Sequence, residues 1–235
     1  RAAPVGLDLN PIVVGPHEAE LDAAVVRRLK EALVDRPVAV VVEPIAGLGL
    51  TQRQPRDDDQ VSLTNVDATH FSEQVFRISD LVANLDWDDW QRVIDGPRIQ
   101  RMLDAARGDW ANYVKAAILR LQEQFRDRQL RGLDIMVGGD ITMGAGLSSS
   151  SALVVATAEA VTGFNRLPVN ARRLVSLCGE GEWFVGTRGG AADHAAIKLS
   201  RRGYVTRVGF FPFEIGDSAP FFPDHDLVIC NSGIY

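Results

Sequence analysis

The stretch "GGDITMGAGLSSSSALVVATAEAVTGF", residues 138–164, sets five glycines and four consecutive serines directly against a run of small and apolar residues. The segment before it, "GLDIMVGGD" (132–140), reads as a strand, and the apolar run predicts a helix over 149–162. A strand, a glycine-rich turn and a helix N-terminus together form an anion site. Glycine lets the backbone approach a ligand, unpaired amides point at it, and the helix dipole favours negative charge. Because "ALVVATAEAV" is almost wholly small or apolar, the helix is expected in the core, where it gives the loop a rigid mount. The plain alternative is a serine N-cap after a tight turn. Four serines after Gly144-Ala145-Gly146 favour phosphate binding over that alternative. Two familiar phosphate loops fit poorly. Gly139 and Gly144 have the G-x4-G spacing of a P-loop, but Ala145-Gly146 stands where Lys and Ser/Thr are needed. A Rossmann fingerprint fits only as Gly144-x-Gly146-x-x-Ser149 and requires an acidic residue on a second strand about 20 positions later, where the pattern is helical.

Working outward, "DWANYVKAAILRLQEQFRDR" places Trp110, Tyr113, Val114, Ala117, Ile118, Leu121 and Phe125 at the helical period. The stretch 87–109 reads as charged and irregular, with "DWDDWQ" a solvated helix start. "DQVSLTNVD" and "EQVFRIS" alternate and are expected as neighbouring antiparallel strands. Residues 17–35 predict an amphipathic helix and 37–44 a buried strand. A further helix is expected over about 169–182, then a second glycine loop, "FVGTRGGAADH". "GYVTRVGFF" and "HDLVICNSG" read as late strands, and the phenylalanines Phe210, Phe211, Phe213, Phe221 and Phe222 as core or interface. The mixture of βαβ-like and antiparallel pieces predicts an α+β fold.

The 235 residues suffice for one large domain or two small ones. A net charge of -6 argues against nucleic-acid or anionic-membrane partners. The two cysteines, Cys178 and Cys230, fit no metal or redox spacing. His17, His70 and His225 likewise show no ligand spacing. No apolar run approaches the roughly 18 residues of a membrane span, and the N-terminus lacks a signal-peptide pattern, so a cytoplasmic location is expected.

"DITMGAGLSSSSAL" resembles the central motif of the GHMP small-molecule kinases, most closely the galactokinase branch, with its P-x-G-x-G-L-S-S-S-A pattern. Gly144, Gly146, Leu147, Ser148, Ser149, Ser150 and Ser151 fall on it, with Thr142 in place of proline. "DWANYVKAAI" is similar to the branch's W-x-x-Y-V-K-G helix, "FVGTRGGAADHAAI" to its V-G-x-x-x-G-x-x-D-Q loop, and "LVICNSG" to its late strand. The resemblance covers about 105–235. It implies an ATP-dependent kinase that uses magnesium and acts on a small-molecule sugar, with phosphates bound by Gly144 through Ser151, including Ala145. It also implies a catalytic aspartate beside the acceptor hydroxyl, which by position is Asp193, with His194 where glutamine is usual. The magnesium ligands implied are Ser149 and a glutamate ahead of the second loop. That glutamate's usual position is Gly181, flanked by Glu180 and Glu182, of which Glu182 is preferred. Arg188 is a candidate auxiliary cation or an exposed surface arginine.

The branch's N-terminal sugar-binding motif, with its catalytic arginine, is not found; it is expected just before Glu43, since "EPIAGLGL" resembles the segment that follows it. The C-terminal glycine motif is not found either. Residues 1–215 are expected to form the GHMP-kinase N-terminal domain, and 216–235 the start of a C-terminal domain. Two functions follow: transfer of the γ-phosphate of MgATP to a sugar hydroxyl, the anomeric one expected, or a catalytically inactive nucleotide or sugar sensor acting through a protein partner. A Rossmann oxidoreductase is disfavoured by the motif departures.

Overall fold

A computed structural model describes residues 56–87, 89–139, 141, 143–144, 146–201, 203–209, 213–222 and 224. The helix expected over 17–35, the strands expected over 37–44 and 225–233, and Cys230 lie outside these residues.

Strand β1 (Gln60–Asn65) is central in a three-stranded sheet, between β2 (Gln74–Arg77) and β3 (Asp134–Val137). β2 runs antiparallel to it, with Val61 opposite Phe76 and Leu63 opposite Gln74. β3 runs parallel, with Ser62 opposite Asp134 and Asn65 opposite Val137. Alternation along β1 decides which face is buried: Val61 and Leu63 are fully inside, while Ser62 and Thr64 are only half-buried. The expected strand at 73–79 ends early. Asp59 accepts hydrogen bonds at its backbone oxygen from the Ile78 amide (3.0 Å) and at its carboxylate from the Ser79 amide (2.7 Å). These bonds divert the chain into a short helix, α1 (Ile78–Val82).

The stretch 87–109, expected to be irregular, instead forms two helices, α2 (Trp90–Asp95) and α3 (Pro97–Ala105). Local chemistry explains the difference. Asp89 caps α2 by accepting from the Arg92 amide, and Pro97 stands at the first position of α3, where a missing N–H costs nothing. Trp90 is half-buried: its indole N–H donates to the Glu180 carbonyl at 2.8 Å, and the Arg120 guanidinium stacks on its ring at 5.2 Å.

Helix α4 (Ala111–Gln124) is buried from two sides. Val114, Ala117, Ile118 and Leu121 join the main core with Val61, Leu63, Ile135 and the apolar body of α5 (Ser149–Phe164). Ala116 and Leu119 face a second core with Leu81, Val93, Ile94, Ile99 and Phe184. The one charged group this buries on α4, Arg120, is held by Glu123 and Glu180. Helix α6 (Ala171–Glu182) packs across α4 and α5 and is capped by Asn170, whose side chain accepts from the Arg173 amide. Cys178 is buried in it, and burial pushes its thiol up, as suits an inert core cysteine.

A single 3-10 turn (Trp183–Val185) leads to the second glycine loop, which feeds α7 (Ala192–Leu199), packed on α5 and α6. β4 (Tyr204–Gly209) and β5 (Glu214–Pro220) form a separate antiparallel hairpin. β5 runs through the expected domain boundary at 215/216. Phe213 and Phe221 are half-buried and Phe222 is exposed. No helix among the described residues is long and apolar enough to cross a membrane.

Close approach of the second loop to α6 depends on Gly179, where a Cβ would come within 2.8 Å of the Ala191 Cβ and 3.1 Å of its Cα. Gly163, also helical, has nothing within 4 Å of the same position. Gly163→Ala should therefore stabilise by about 0.5–1 kcal/mol. Gly179→Ala should destabilise by about 1–3 kcal/mol despite the same gain in helix propensity. Thermal melts of the two variants check this: equal shifts of the same sign would contradict the packing.

Candidate functional site

The loop between β3 and α5 turns through the left-handed region three times in five residues: Gly144 (φ 68°), Gly146 (φ 69°) and Ser148 (φ 56°, ψ 38°). Glycine accepts this freely; for serine it costs about 1–2 kcal/mol. Ser148 occupies the N-cap position of α5, yet its hydroxyl makes no cap hydrogen bond. It donates instead to the carboxylate of Asp193 at 2.8 Å, across 45 residues of sequence. The plain N-cap reading therefore does not describe this turn, and among the described residues no side-chain hydrogen bond caps the start of α5. Gly144, Gly146 and Leu147 are exposed, and Ser148, Ser149 and Ser150 half-buried. Ser151 differs from its neighbours: it is buried and donates inward to Glu182 at 3.1 Å. Ala145 and Thr142 lie outside the described residues.

Asp193 was expected in a loop; it stands in the first turn of α7, exposed. Gly186 (φ 92°) ends the 3-10 turn before it, and the glycines at 189 and 190 carry the chain to the helix start. The structure thus brings the serine loop and the second-loop carboxylate into direct contact.

The two candidate glutamates face different ways. Glu180 belongs to a network with the buried Arg120 and with Arg173. Glu182 turns inward, 5% exposed, with hydroxyls of Ser151 and Ser150 as neighbours. Burial pushes its carboxyl above the ordinary range, and the charge of Asp193 pushes it the same way, against the two serine hydroxyls. The recorded hydroxyl contacts of Glu182 are with Ser150 and Ser151, not with Ser149, the serine expected beside it.

Two further groups lie near this carboxylate. His194 is 2% exposed, with its Nε2 3.5 Å from a Glu182 oxygen in a geometry that makes no hydrogen bond. Neither ring nitrogen has a hydrogen-bond partner among the described residues. Burial lowers its pKa to about 4, so at neutral pH the ring is uncharged and the Glu182 contact is not an ion pair. Tyr113 is half-buried, and burial together with the nearby Glu182 charge raises its hydroxyl. Arg188, the candidate auxiliary cation, points elsewhere: it pairs with Asp95 of α2 and lies over the Trp183 ring at 5.7 Å. The left-handed Ser148, its bond to Asp193, and the Glu182–His194 contact carry no sequence signal. Only the residue types were visible, because the contacts depend on how three helices pack.

Residues 112–201 match the family model for the GHMP kinases N terminal domain. A galactokinase of Dictyostelium discoideum is 30% identical over 131 residues, covering 55% of this chain and 26% of the relative. A galactokinase of Chloroflexus aurantiacus is 28% identical over 137 residues, covering 58% of this chain and 34% of the relative. The chain therefore spans about a quarter to a third of the length of these curated relatives. The solved Lactococcus lactis galactokinase complexed with galactose matches 84% of the chain and 51% of its own length, with a TM-score of 0.58 at 16% identity, a likeness of fold.

His194 also makes folding pH-dependent. Its folded pKa, about 4, lies below its ordinary 6.5. Between these values the unfolded chain binds a proton that the folded chain does not, so stability falls as pH drops from 6.5 towards 4, by up to about 1.4 kcal/mol per pH unit. Glu182 acts oppositely: its raised pKa means that protonation relieves a buried charge, adding stability as pH falls. His194→Gln should flatten the acid limb in denaturant titrations at pH 7 to 4; an unchanged slope would contradict the buried neutral ring. The fold, the serine loop and the sequence match agree: residues 112–201 resemble the N-terminal domain of the GHMP kinases, and galactokinases are among the proteins the chain is similar to.

Proposed function

We propose that this chain supplies the nucleotide-binding part of an ATP-dependent sugar kinase of the galactokinase type, transferring the γ-phosphate of MgATP to a sugar hydroxyl, the anomeric one. The observation that carries the reading is the 2.8 Å bond from Ser148 to Asp193, which ties an uncapped helix N-terminus to a carboxylate. Phosphoryl transfer needs those two elements together: donors for the phosphate oxygens, and an acceptor for the proton of the attacking hydroxyl.

In this reading the amides and hydroxyls from Gly144 to Ser150 bind the phosphates of ATP, and the dipole of α5 adds to their field. Asp193 accepts a hydrogen bond from Ser148 with one carboxylate oxygen, and a sugar hydroxyl takes up the same carboxylate as donor. Asp193 orients that hydroxyl and receives its proton as the oxygen attacks phosphorus. The donors at hand also fit magnesium, which takes oxygen ligands and is usually held by one or two carboxylates plus phosphate. Glu182, together with the hydroxyls of Ser149 and Ser150, would hold it; Ser150 is the serine with a recorded contact to that carboxylate. When bound, the ion neutralises charge on the transferring phosphate. It would also reverse the burial and repulsion that now raise Glu182.

A second reading, a sensor that binds nucleotide or sugar without turnover, draws on one observation: Arg188 is engaged with Asp95, and no cation among the described residues contacts Asp193. Release of ADP from the full-length protein across a sugar panel separates the two. Asp193→Ala should lower turnover about a thousandfold while ATP affinity changes little; undiminished sugar-dependent ADP release would refute the assignment. Glu182→Gln should weaken the dependence on magnesium concentration yet leave the melting temperature unchanged or higher, because it removes a buried charge. A marked loss of stability would instead assign Glu182 a structural role.

A further inference from the structure

Helices α2 and α3, with the turn before them, enclose a cavity of about 320 Å3 that lies outside the serine loop and Asp193. Its lining includes Asn84, Asp86, Asp89, Arg92, Val93, Arg98 and Arg101. Arg92 and Arg101 are exposed and Arg98 is half-buried, so three guanidinium groups offer positive charge to one small cavity. Arg92 and Arg101 make no ion pair among the described residues. Arg98 donates from Nη2 to the Asp80 carbonyl at 2.6 Å, while its Nε is buried without a hydrogen-bond partner among the described residues. A buried guanidinium N–H without an acceptor is uncommon, since desolvation of such a donor costs about 1–3 kcal/mol.

We propose that this cavity is a binding site for a small phosphorylated sugar, held by Arg92, Arg98 and Arg101. The planar forks of arginine match the paired oxygens of a phosphate. The rest of the lining suits a polyol rather than a bare anion. Asn84 both donates and accepts, and Asp89 has one oxygen taken by the Arg92 amide and one available to a hydroxyl. Val93 offers an apolar face to a sugar ring. The cavity also has a mechanical connection. Helix α2, which contributes Arg92 and Val93, carries Asp95, bound to Arg188 of the second loop, and Trp90, bound to the Glu180 carbonyl. None of this uses Ser148 or Asp193; only the choice of galactose 1-phosphate as probe rests on the kinase reading.

Calorimetric titration of the full-length protein with galactose 1-phosphate tests it, with inorganic phosphate and free galactose as separate arms. Asp193→Ala keeps the cavity while altering the other site, so the binding that depends on Arg92 and Arg101 should persist in it. Arg92→Ala/Arg101→Ala, two exposed positions, should weaken binding at least about tenfold with an unchanged melting temperature. If that pair fails to fold, Arg101→Ala alone should still weaken binding severalfold. Inorganic phosphate should compete and free galactose should not. No saturable binding, equal binding by the arginine variant, or loss of binding in Asp193→Ala alone would each overturn the site.

Discussion

Burial of the apolar body of α5 constrains everything at the serine loop. Residues 151–158 are buried without a break, wedged between the sheet, α4 and α6. The helix can neither rotate nor slide without moving Val154, Val155, Ala158 and Val161 out of packed contacts. Its first turn is therefore held still, and so is the left-handed Ser148 before it. The strain in that serine is tolerated because the helix behind it does not move and its hydroxyl has a charged acceptor.

The same packing gathers negative charge. Asp193 and Glu182 approach each other on α7 and the end of α6, while the nearest arginines are committed to other partners: Arg120 and Arg173 to Glu180, and Arg188 to Asp95. The neutral, unbonded His194 adds no compensating charge. Without a cation the arrangement is electrostatically unfavourable, and Glu182 records this in its raised pKa. Sites that gain by receiving a positive ion are commonly built this way.

The long helices, the antiparallel pair β1–β2 and the strand–loop–helix at the serines were legible because period and glycine placement report local structure directly. Helix α2 was legible only as a start within "DWDDWQ", and α3 was not. They are short, their apolar faces are narrow, and their ends are set by Asp89 and Pro97 rather than by a periodic stripe. Helix α7 was hidden because the glycines preceding it extend the appearance of a loop up to Asp193. At the site, residue types were readable but directions were not. Glu180 and Glu182 are two positions apart, so on a helix they point to opposite sides, and only the packing of α6 against α4 and α5 determines which one meets the serines. Why Arg188 should lie on Asp95 could not be read at all, since only the start of α2 was foreseen and not its packing.

The four serines are identical in composition and unlike in conformation: Ser148 is left-handed and outward, Ser149 and Ser150 open the helix, and Ser151 is inside it. Deleting any one of them yields the same shortened polypeptide, because the run is uniform. A helix advances about 100° per residue, so such a deletion forces a choice. Either the packed body of α5 keeps its orientation and the glycine turn stretches to make up the missing residue, or the helix turns and its apolar face leaves the core. Packing energy favours the first, and the loop would then absorb the whole error. A genetic slip in a monotonous run would thus disturb the reach of the loop while leaving the fold intact.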